Sequence, residues 1–379
     1  MNAARQASLP FPDTLNNYWL TQQNKLVSEC ERRGINWHNL VNSLSPEQQQ
    51  DLQKVCAVSA FVADNIIQDS HYLFQQIISG GIYQPLTAPQ LEQQLTELID
   101  ADGIATEESL FKGLRIFRRR TQIHIIWRDI LRLAKTLETT RMLSDMADVC
   151  IHQALNHIHA MLAEKHGQPM GKVSKEEQRL LVLGMGKLGA YELNLSSDID
   201  LIFAYPESGA TTGNTEGRRD LSNQEFFIKV GQKLIQALDN NTHDGFVFRT
   251  DMRLRPYGES GPLVMNFASL AEYYQNQGRD WERYAMVKAR IITSEGLAAA
   301  EAEKTLAGQE LLAIIRPFTY RQYVDYSAFE SLRSMKAMIN TEVRRRGLET
   351  NVKLGSGGIR EVEFVVQAFQ LIRGGQEKE

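Results

Sequence analysis

Ser196-Ser197-Asp198-Ile199-Asp200-Leu201-Ile202-Phe203 sets two carboxylates two residues apart at the head of an apolar run. Side chains two apart on a strand point to the same face, so a strand here puts Asp198 and Asp200 side by side. Two like charges held that close raise the cost of ionising one another, and a purely structural strand gains nothing from them. A divalent cation resolves the conflict, and oxygen ligands suit magnesium or manganese.

Upstream, Gly184-Met185-Gly186-Lys187-Leu188-Gly189 follows the short apolar run Leu180-Leu181-Val182-Leu183, which reads as a buried strand. The spacing fits GxGxxG, and Glu207 lies where a ribose-binding acid would be sought. The interval from Gly189 to Asp198 is too short for a crossover helix, which with its loops takes at least about 10–12 residues between parallel strands. A dinucleotide fold is therefore disfavoured. The glycines read instead as a turn whose backbone N–H groups can approach a phosphate. Downstream, Phe248-Arg249-Thr250-Asp251-Met252-Arg253-Leu254-Arg255 places a third acid on a strand, with arginines two and four residues on. Asp198, Asp200 and Asp251 together can hold two metal ions, which stabilise the attacking and leaving oxygens of an in-line displacement.

Around this centre, residues 14 to 166 show helical periodicity: Ser45-Pro46-Glu47-Gln48 is a capping box opening a helix toward Ile67, and another helix runs from Glu107 to Ala134. The texture changes after the polar segment Gly167 to Lys175. Strands are expected at Ile199–Tyr205, Gly245–Leu254 and, at an edge, Pro262–Phe267, with a helix near Asn223–Leu238. From Ser269 the pattern is again mostly helical, including Asp325 to Arg346, up to the interruption Lys353-Leu354-Gly355-Ser356-Gly357-Gly358 and a last helix from Ile359. The expected class is α+β: a helical domain over 1–170, a core with a small mixed sheet over 171–268, and a helical region over 269–379 that lacks a closing element and reads as truncated.

Composition narrows the function classes. With 42 basic and 46 acidic residues the net charge is -4, so no global field favours nucleic acid or an anionic membrane. Cys30, Cys56 and Cys150 are odd in number and far apart, which argues against a disulfide framework or a zinc site. No apolar run is long enough for a membrane span and no leader is evident, so a cytoplasmic location is expected. Several lesser features read as structural. Asp100 and Asp102 form a second DxD at a helix end. Arg118-Arg119-Arg120 and Arg344-Arg345-Arg346 read as solvated faces or partner contacts, and His152, His157 and His159, without metal-pair spacing, as surface histidines.

The stretch Gly184 to Gly189, then Glu192-Leu193-Asn194 and Ser196 to Phe203, resembles the signature of the glutamine synthetase adenylyltransferases. The likeness continues through Asp251-Met252-Arg253-Leu254-Arg255-Pro256, Gly258-Glu259-Ser260-Gly261-Pro262-Leu263 and Arg279-Asp280-Trp281-Glu282-Arg283-Tyr284-Ala285-Met286-Val287-Lys288-Ala289-Arg290. It is specific over about residues 178 to 375 and looser in the N-terminal helices.

Members of that family carry two nucleotidyltransferase halves, one attaching AMP to a tyrosine of glutamine synthetase and one removing it by phosphorolysis. The position after an N-terminal helical domain, and Trp281-Glu282-Arg283-Tyr284, are similar to the removing half. The resemblance implies a nucleotidyltransferase-type core that converts adenylylated glutamine synthetase and phosphate to the free tyrosine and ADP. It implies Asp198, Asp200 and Asp251 as ligands of magnesium or manganese, two ions in all. Gly184, Gly186, Lys187, Gly189 and Ser197 are the expected phosphate cradle. Arg253, Arg255, Arg283, Lys288 and Arg290 are candidates for holding phosphate, since guanidinium forks match its oxygens. Glu361 and Glu363 belong to the pattern without an assigned role. A PII-type signal protein is a possible partner of such a chain. AMP addition on the same core and a catalytically idle binding module are the competing expectations.

Overall fold

The computed structural model describes residues 13–100, 106–213, 220–294, 296–320, 326–353 and 355–374. The fold is α+β, and the chain divides into two compact units. The first is Met1–Val149 with Glu192–Leu195 and His243–Gly245; the second is Cys150–Tyr191, Ser196–Thr242 and Phe246–Glu379.

The first unit is helical. Its core gathers Trp37, Leu52, Val55, Phe74, Ile77 and Trp127, with Trp37 edge-on to Phe74 at 5.8 Å between ring centres. Ser45 and Gln48 form the expected capping box at the start of the helix Pro46–Val58. That helix stops short of the expected Ile67, because Ser59 adopts an extended backbone and its hydroxyl accepts from Val62 N–H to start a new helix, Ala60–Asn65. The helix Glu107–Ile130 corrects a second expectation. Consecutive helical residues point in different directions, so Arg118-Arg119-Arg120 is not one solvated face: Arg119 is buried and Arg120 pairs with Asp69. Arg345 and Arg346 are exposed and pair with Glu342. Of the second DxD, Asp102 lies outside the described residues.

The second unit is built on two sheets. Their strands are β1 (Pro169–Gly171), β2 (Leu181–Met185), β3 (Ile199–Tyr205), β4 (Gly209–Thr211), β5 (Thr250–Asp251), β6 (Val264–Asn266), β7 (Arg290–Ser294) and β8 (Leu297–Ala298). β1 and β4 pair alone. The main sheet runs β5-β3-β2-β7-β8, with β6 also on β3. β2 is antiparallel to both β3 and β7, while β5 and β6 are parallel to β3. An antiparallel β2–β3 pair needs no crossover helix, in keeping with the short interval between them.

Both faces of this sheet are covered. On one, Leu181, Leu183, Met185, Ile202, Ala204 and Ile291 pack with Leu270 and Tyr274 of the helix Phe267–Asn276 and Leu311 and Ile315 of the helix Leu306–Thr319. On the other, Phe203 and Tyr205 meet the helix Asn223–Asp239. The Tyr205 and Phe227 rings are 4.7 Å apart, and a Cβ on Gly231 would come within 3.0 Å of the Phe203 ring. A capping box between Ser222 and Glu225 starts that helix.

This packing overturns the surface reading of His152 and His159, while His157 is half-buried. His152 is buried with Nδ1 3.2 Å from Thr293 Oγ1, and His159 is buried against Phe226. Burial pushes the His159 imidazole down to about 4, so it is neutral at pH 7.

Candidate active site

The site is assembled where β3 meets its neighbours. The parallel register sets Asp200 opposite Asp251, while on the other side Asp200 faces Met185 at the end of β2. Ile199 and Leu201 are fully buried, so alternation turns Asp200 to the face it shares with Ile202 and Ala204. Asp198 precedes the strand and belongs to the same side by that period.

The glycine turn closes the other flank of Asp200. Gly186 has φ 56°, and a Cβ there would stand 3.2 Å from Asp200 Oδ2. A left-handed residue is thus placed where a side chain would crowd the carboxylate. Residues Gly186–Gly189 make one helical turn ending beside Lys288, whose carbonyl oxygen would lie 1.7 Å from a Cβ on Gly189. Each of those two glycines is required for its own steric reason.

The three acids differ in their surroundings. Asp198 is half-exposed and pairs with Arg249 Nε at 2.7 Å. Asp251 accepts from Arg253 backbone N–H at 2.8 Å and from Arg253 Nε at 2.9 Å, which holds its carboxyl below the usual range. Asp200 is pushed up to about 6 by burial first and then by the charges of Asp251 and Asp198, against Arg253 and Lys353. Two acids are balanced by arginines, and the central one bears the repulsion.

This donor set suits a hard divalent cation, because all its donors are carboxylate oxygens and a cation would relieve the repulsion at Asp200. Among the described residues no group of three or more His, Cys, Asp or Glu side chains is gathered closely enough to hold a metal ion. The outer two acids pair with Arg249 and Arg253, and would have to turn from them to join Asp200 around an ion.

The other cations expected here are distributed unequally. Arg253 lies at the acids. Arg255 instead folds its own loop, donating to the carbonyls of Met252 at 2.8 Å and Glu259 at 3.0 Å. Arg290 is buried, donating to the carbonyls of Leu188 at 3.1 Å and Gly189 at 3.2 Å while its guanidinium lies 3.8 Å from the centre of the Tyr191 ring. It anchors the end of the glycine turn. Arg283 donates to Phe318 carbonyl at 3.0 Å and lies near Asp280. Lys288 pairs with Glu363 at 3.2 Å. Lys187 and Ser197 are half-buried on the turn and before β3.

Two functional candidates escaped the sequence reading. Arg249, the partner of Asp198, sits in the quoted stretch but two residues before the acid it was read with. Lys353, in a glycine-containing interruption over 150 positions beyond Asp200, is, after Arg253, the lesser of two cations that oppose the upward shift of that carboxyl. No local pattern signals an influence from so far along the chain. Of the two glutamates left without a role, Glu363 pairs with Lys288, and Glu361 accepts from Gly357 N–H at 2.7 Å and pairs with Lys336 at 3.0 Å.

A family model described as Glutamate-ammonia ligase adenylyltransferase matches residues 49–305, a span that holds all three acids and the glycine turn. The chain belongs to this family. A second model, GlnD PII-uridylyltransferase, matches residues 333–379. A bifunctional glutamine synthetase adenylyltransferase/adenylyl-removing enzyme of Pseudomonas aeruginosa is 53% identical over 363 residues, covering 93% of this chain and 36% of its own length. A protein of the same name from Nitrosococcus oceani is 47% identical over 361 residues, covering 94% of this chain and 35% of its own length. This member of the adenylyltransferase family spans about a third of the length of the curated relatives it matches. No helix among the described residues is long and apolar enough to cross a membrane.

Proposed function

We propose that this site removes AMP from an adenylylated tyrosine of glutamine synthetase by phosphorolysis. The observation that carries the reading is the register of Asp200 beside Asp251, with Asp198 on the same side and the glycine turn at their flank, inside the span matched by the adenylyltransferase family. The names of the relatives include both the adding and the removing reaction. The position of this core behind a helical unit, and Trp281-Glu282-Arg283-Tyr284, favour removal.

In that reaction a phosphate oxygen attacks the adenylyl phosphorus, the bond from phosphorus to the tyrosine oxygen breaks, and the products are ADP and the tyrosine. Phosphate is already anionic and tyrosinate, with a pKa near 10, is a fair leaving group, so no strong base is demanded. The difficulty is bringing two anions together. Asp198, Asp200 and Asp251 would hold magnesium or manganese, two ions, supplying positive charge to the oxygens that gain negative charge in the displacement. Arg249 and Arg253, released from Asp198 and Asp251 by such binding, would be free to turn to phosphate oxygens. The turn Gly184–Gly189 would offer backbone N–H groups and Lys187 to the phosphate, and Arg290 and Lys288 pack against its end. A PII-type signal protein is the proposed regulator, and the cytoplasm the proposed location.

The test is nucleotide release from adenylylated glutamine synthetase by this chain with magnesium. ADP should appear, at a rate that rises with phosphate and then saturates. AMP as the main product, at a rate indifferent to phosphate, would mean hydrolysis. Incorporation of AMP into unmodified glutamine synthetase from ATP, with no ADP release in the first assay, would mean addition.

A further inference from the structure

The loop that leaves Asp251 is tied together by its own groups. Arg255 spends its guanidinium inside it, donating to the carbonyls of Met252 at 2.8 Å, Glu259 at 3.0 Å and Gly261 at 3.4 Å. Gly258 N–H donates to Arg255 carbonyl at 2.8 Å, and Ser260 hydroxyl donates to Tyr257 carbonyl at 2.9 Å. A Cβ on Gly261 would stand 2.0 Å from the carbonyl oxygen of Pro256, so the two limbs of the turn touch.

At the tip of this loop Tyr257 and Gly258 both take left-handed backbone, with φ 63° and 58°. Glycine does so freely, whereas a bulky side chain is strained there. Strain of this kind persists only where the surroundings impose it, and it is concentrated at functional sites. The side chain so presented is an aromatic ring, and 43% of the residue is exposed.

The ring lies on the side of the sheet that bears the acid. Asp200 shares its face with Ile202 and Ala204 and pairs with Met185, and those three apolar residues pack in one cluster with Tyr273 and, at its margin, Leu254. Tyr257 meets Tyr273 at 4.5 Å between ring centres, edge-on and not stacked. Tyr273 is itself held, its hydroxyl donating to the buried Glu282 at 2.7 Å. Beside it, a Cβ on Gly258 would lie 3.7 Å from the carbonyl oxygen of Arg253, whose guanidinium is bonded to Asp251. Tyr257 is thus where the layer covering the face of Asp200 opens to solvent, six residues along a braced loop from Asp251.

We infer that Tyr257 is the base-binding residue of this site, its ring stacking on the adenine of the adenylyl group and of ADP. The inference rests on the site being a nucleotidyl-transfer centre, and it names what holds the part of the nucleotide that carboxylate-bound metals and arginines do not engage. A neutral ring on a fixed backbone does not compete for phosphate, and every nucleobase offers it a π-face.

Titration of the whole chain with ADP and magnesium, followed by calorimetry and by proton NMR of the nucleotide, tests it. A base lying over a tyrosine ring has its H2 and H8 protons shielded, so both resonances should move upfield on binding to the unaltered chain and to Tyr257→Phe, and stay in place with Tyr257→Ala. Tyr257→Ala should weaken ADP binding about tenfold, and Tyr257→Phe less than about threefold. Tyr257→Gly, which relieves the left-handed strain, should lose as much affinity as Tyr257→Ala while unfolding at no lower a temperature, a combination that a merely structural role would not give. Four results overturn the inference: ADP affinity unchanged in Tyr257→Ala, the same upfield movement in that variant, a loss in Tyr257→Phe as large as in Tyr257→Ala, or no binding of ADP to the unaltered chain. The phosphorolysis reading fails separately, if ADP stacks on Tyr257 but none is released from adenylylated glutamine synthetase.

Discussion

Asp200 and Asp251 lie in register on adjacent parallel strands, and the guanidinium of Arg253 is hydrogen-bonded to Asp251. Equal chemistry in unequal settings gives the pair opposite shifts, Asp200 upward and Asp251 downward. Four expectations follow from this site and its supports.

Asp200→Asn should remove phosphorolysis while stabilising the metal-free protein in a pH-dependent way. A carboxyl raised to about 6 from 3.8 binds its proton more tightly when folded. Its stabilising contribution is therefore complete below pH 3.8 and lost as pH rises through about 6. The asparagine variant should match the parent near pH 4 and exceed it by about 1–2 kcal/mol near pH 7.5, a figure reduced for solvent screening. Urea unfolding in a chelator at both pH values checks this. A difference that does not change with pH would contradict it.

Magnesium or manganese should raise the unfolding temperature, because a ligand held only by the folded site stabilises it, by about 2.7 kcal/mol at a hundred times Kd. Replacing Asp198, Asp200 and Asp251 together by alanine should abolish the shift. The same shift in the triple variant would locate the binding elsewhere.

Arg290 and Arg253 should separate stability from activity. Arg290→Gln takes a buried donor from the carbonyls of Leu188 and Gly189 and should cost about 2–4 kcal/mol in urea unfolding. Arg253→Gln alters an exposed side chain and should change stability by under about 1 kcal/mol, while lowering turnover. Comparable destabilisation by both would refute the division of roles.

Gly189→Ala should be far worse than Gly245→Ala. The first puts a Cβ 1.7 Å from a backbone oxygen that cannot move without displacing β7, whereas Gly245, at φ 88°, has open space around it. The expected costs are over about 3 kcal/mol for Gly189 and about 1–2 kcal/mol for Gly245. Similar melting temperatures for the two variants would argue against the tight approach of the turn to Lys288.

Much of the centre was legible because strand alternation is local. Two acids at 198 and 200, an apolar continuation and a glycine turn nine residues upstream suffice to place one face of β3. The pairing with Asp251 was not legible to the same degree. The expected strand Gly245–Leu254 shrinks to Thr250–Asp251, because Val247 and Phe248 donate their N–H groups to Leu238 carbonyl at the end of a helix and are buried there without joining the sheet. β7 was missed in a stretch read as helical, although Ile291-Ile292-Thr293 is rich in β-branched side chains. The arginines show a further limit. Sequence identifies a guanidinium, but whether it meets a phosphate, a carboxylate or a carbonyl is decided by partners remote along the chain, as for Arg290 and Leu188.

The order of the main sheet also dictates when this centre can exist during synthesis. β2 finds β3 almost at once, but its other edge waits for β7, as in the pairing of Gly184 with Arg290. At roughly 5–20 residues per second, a ribosome needs on the order of 5–20 s to supply that intervening stretch. Until then a nascent chain would carry an apolar strand with one edge open, which exposes it to wrong pairing. The helix Asn223–Asp239, made in the interval, can cover one face of the β2–β3 hairpin through Phe227 and Gly231, but it cannot close that edge. Strand order thus leaves one edge of β2 open until residues 290–294 have been made.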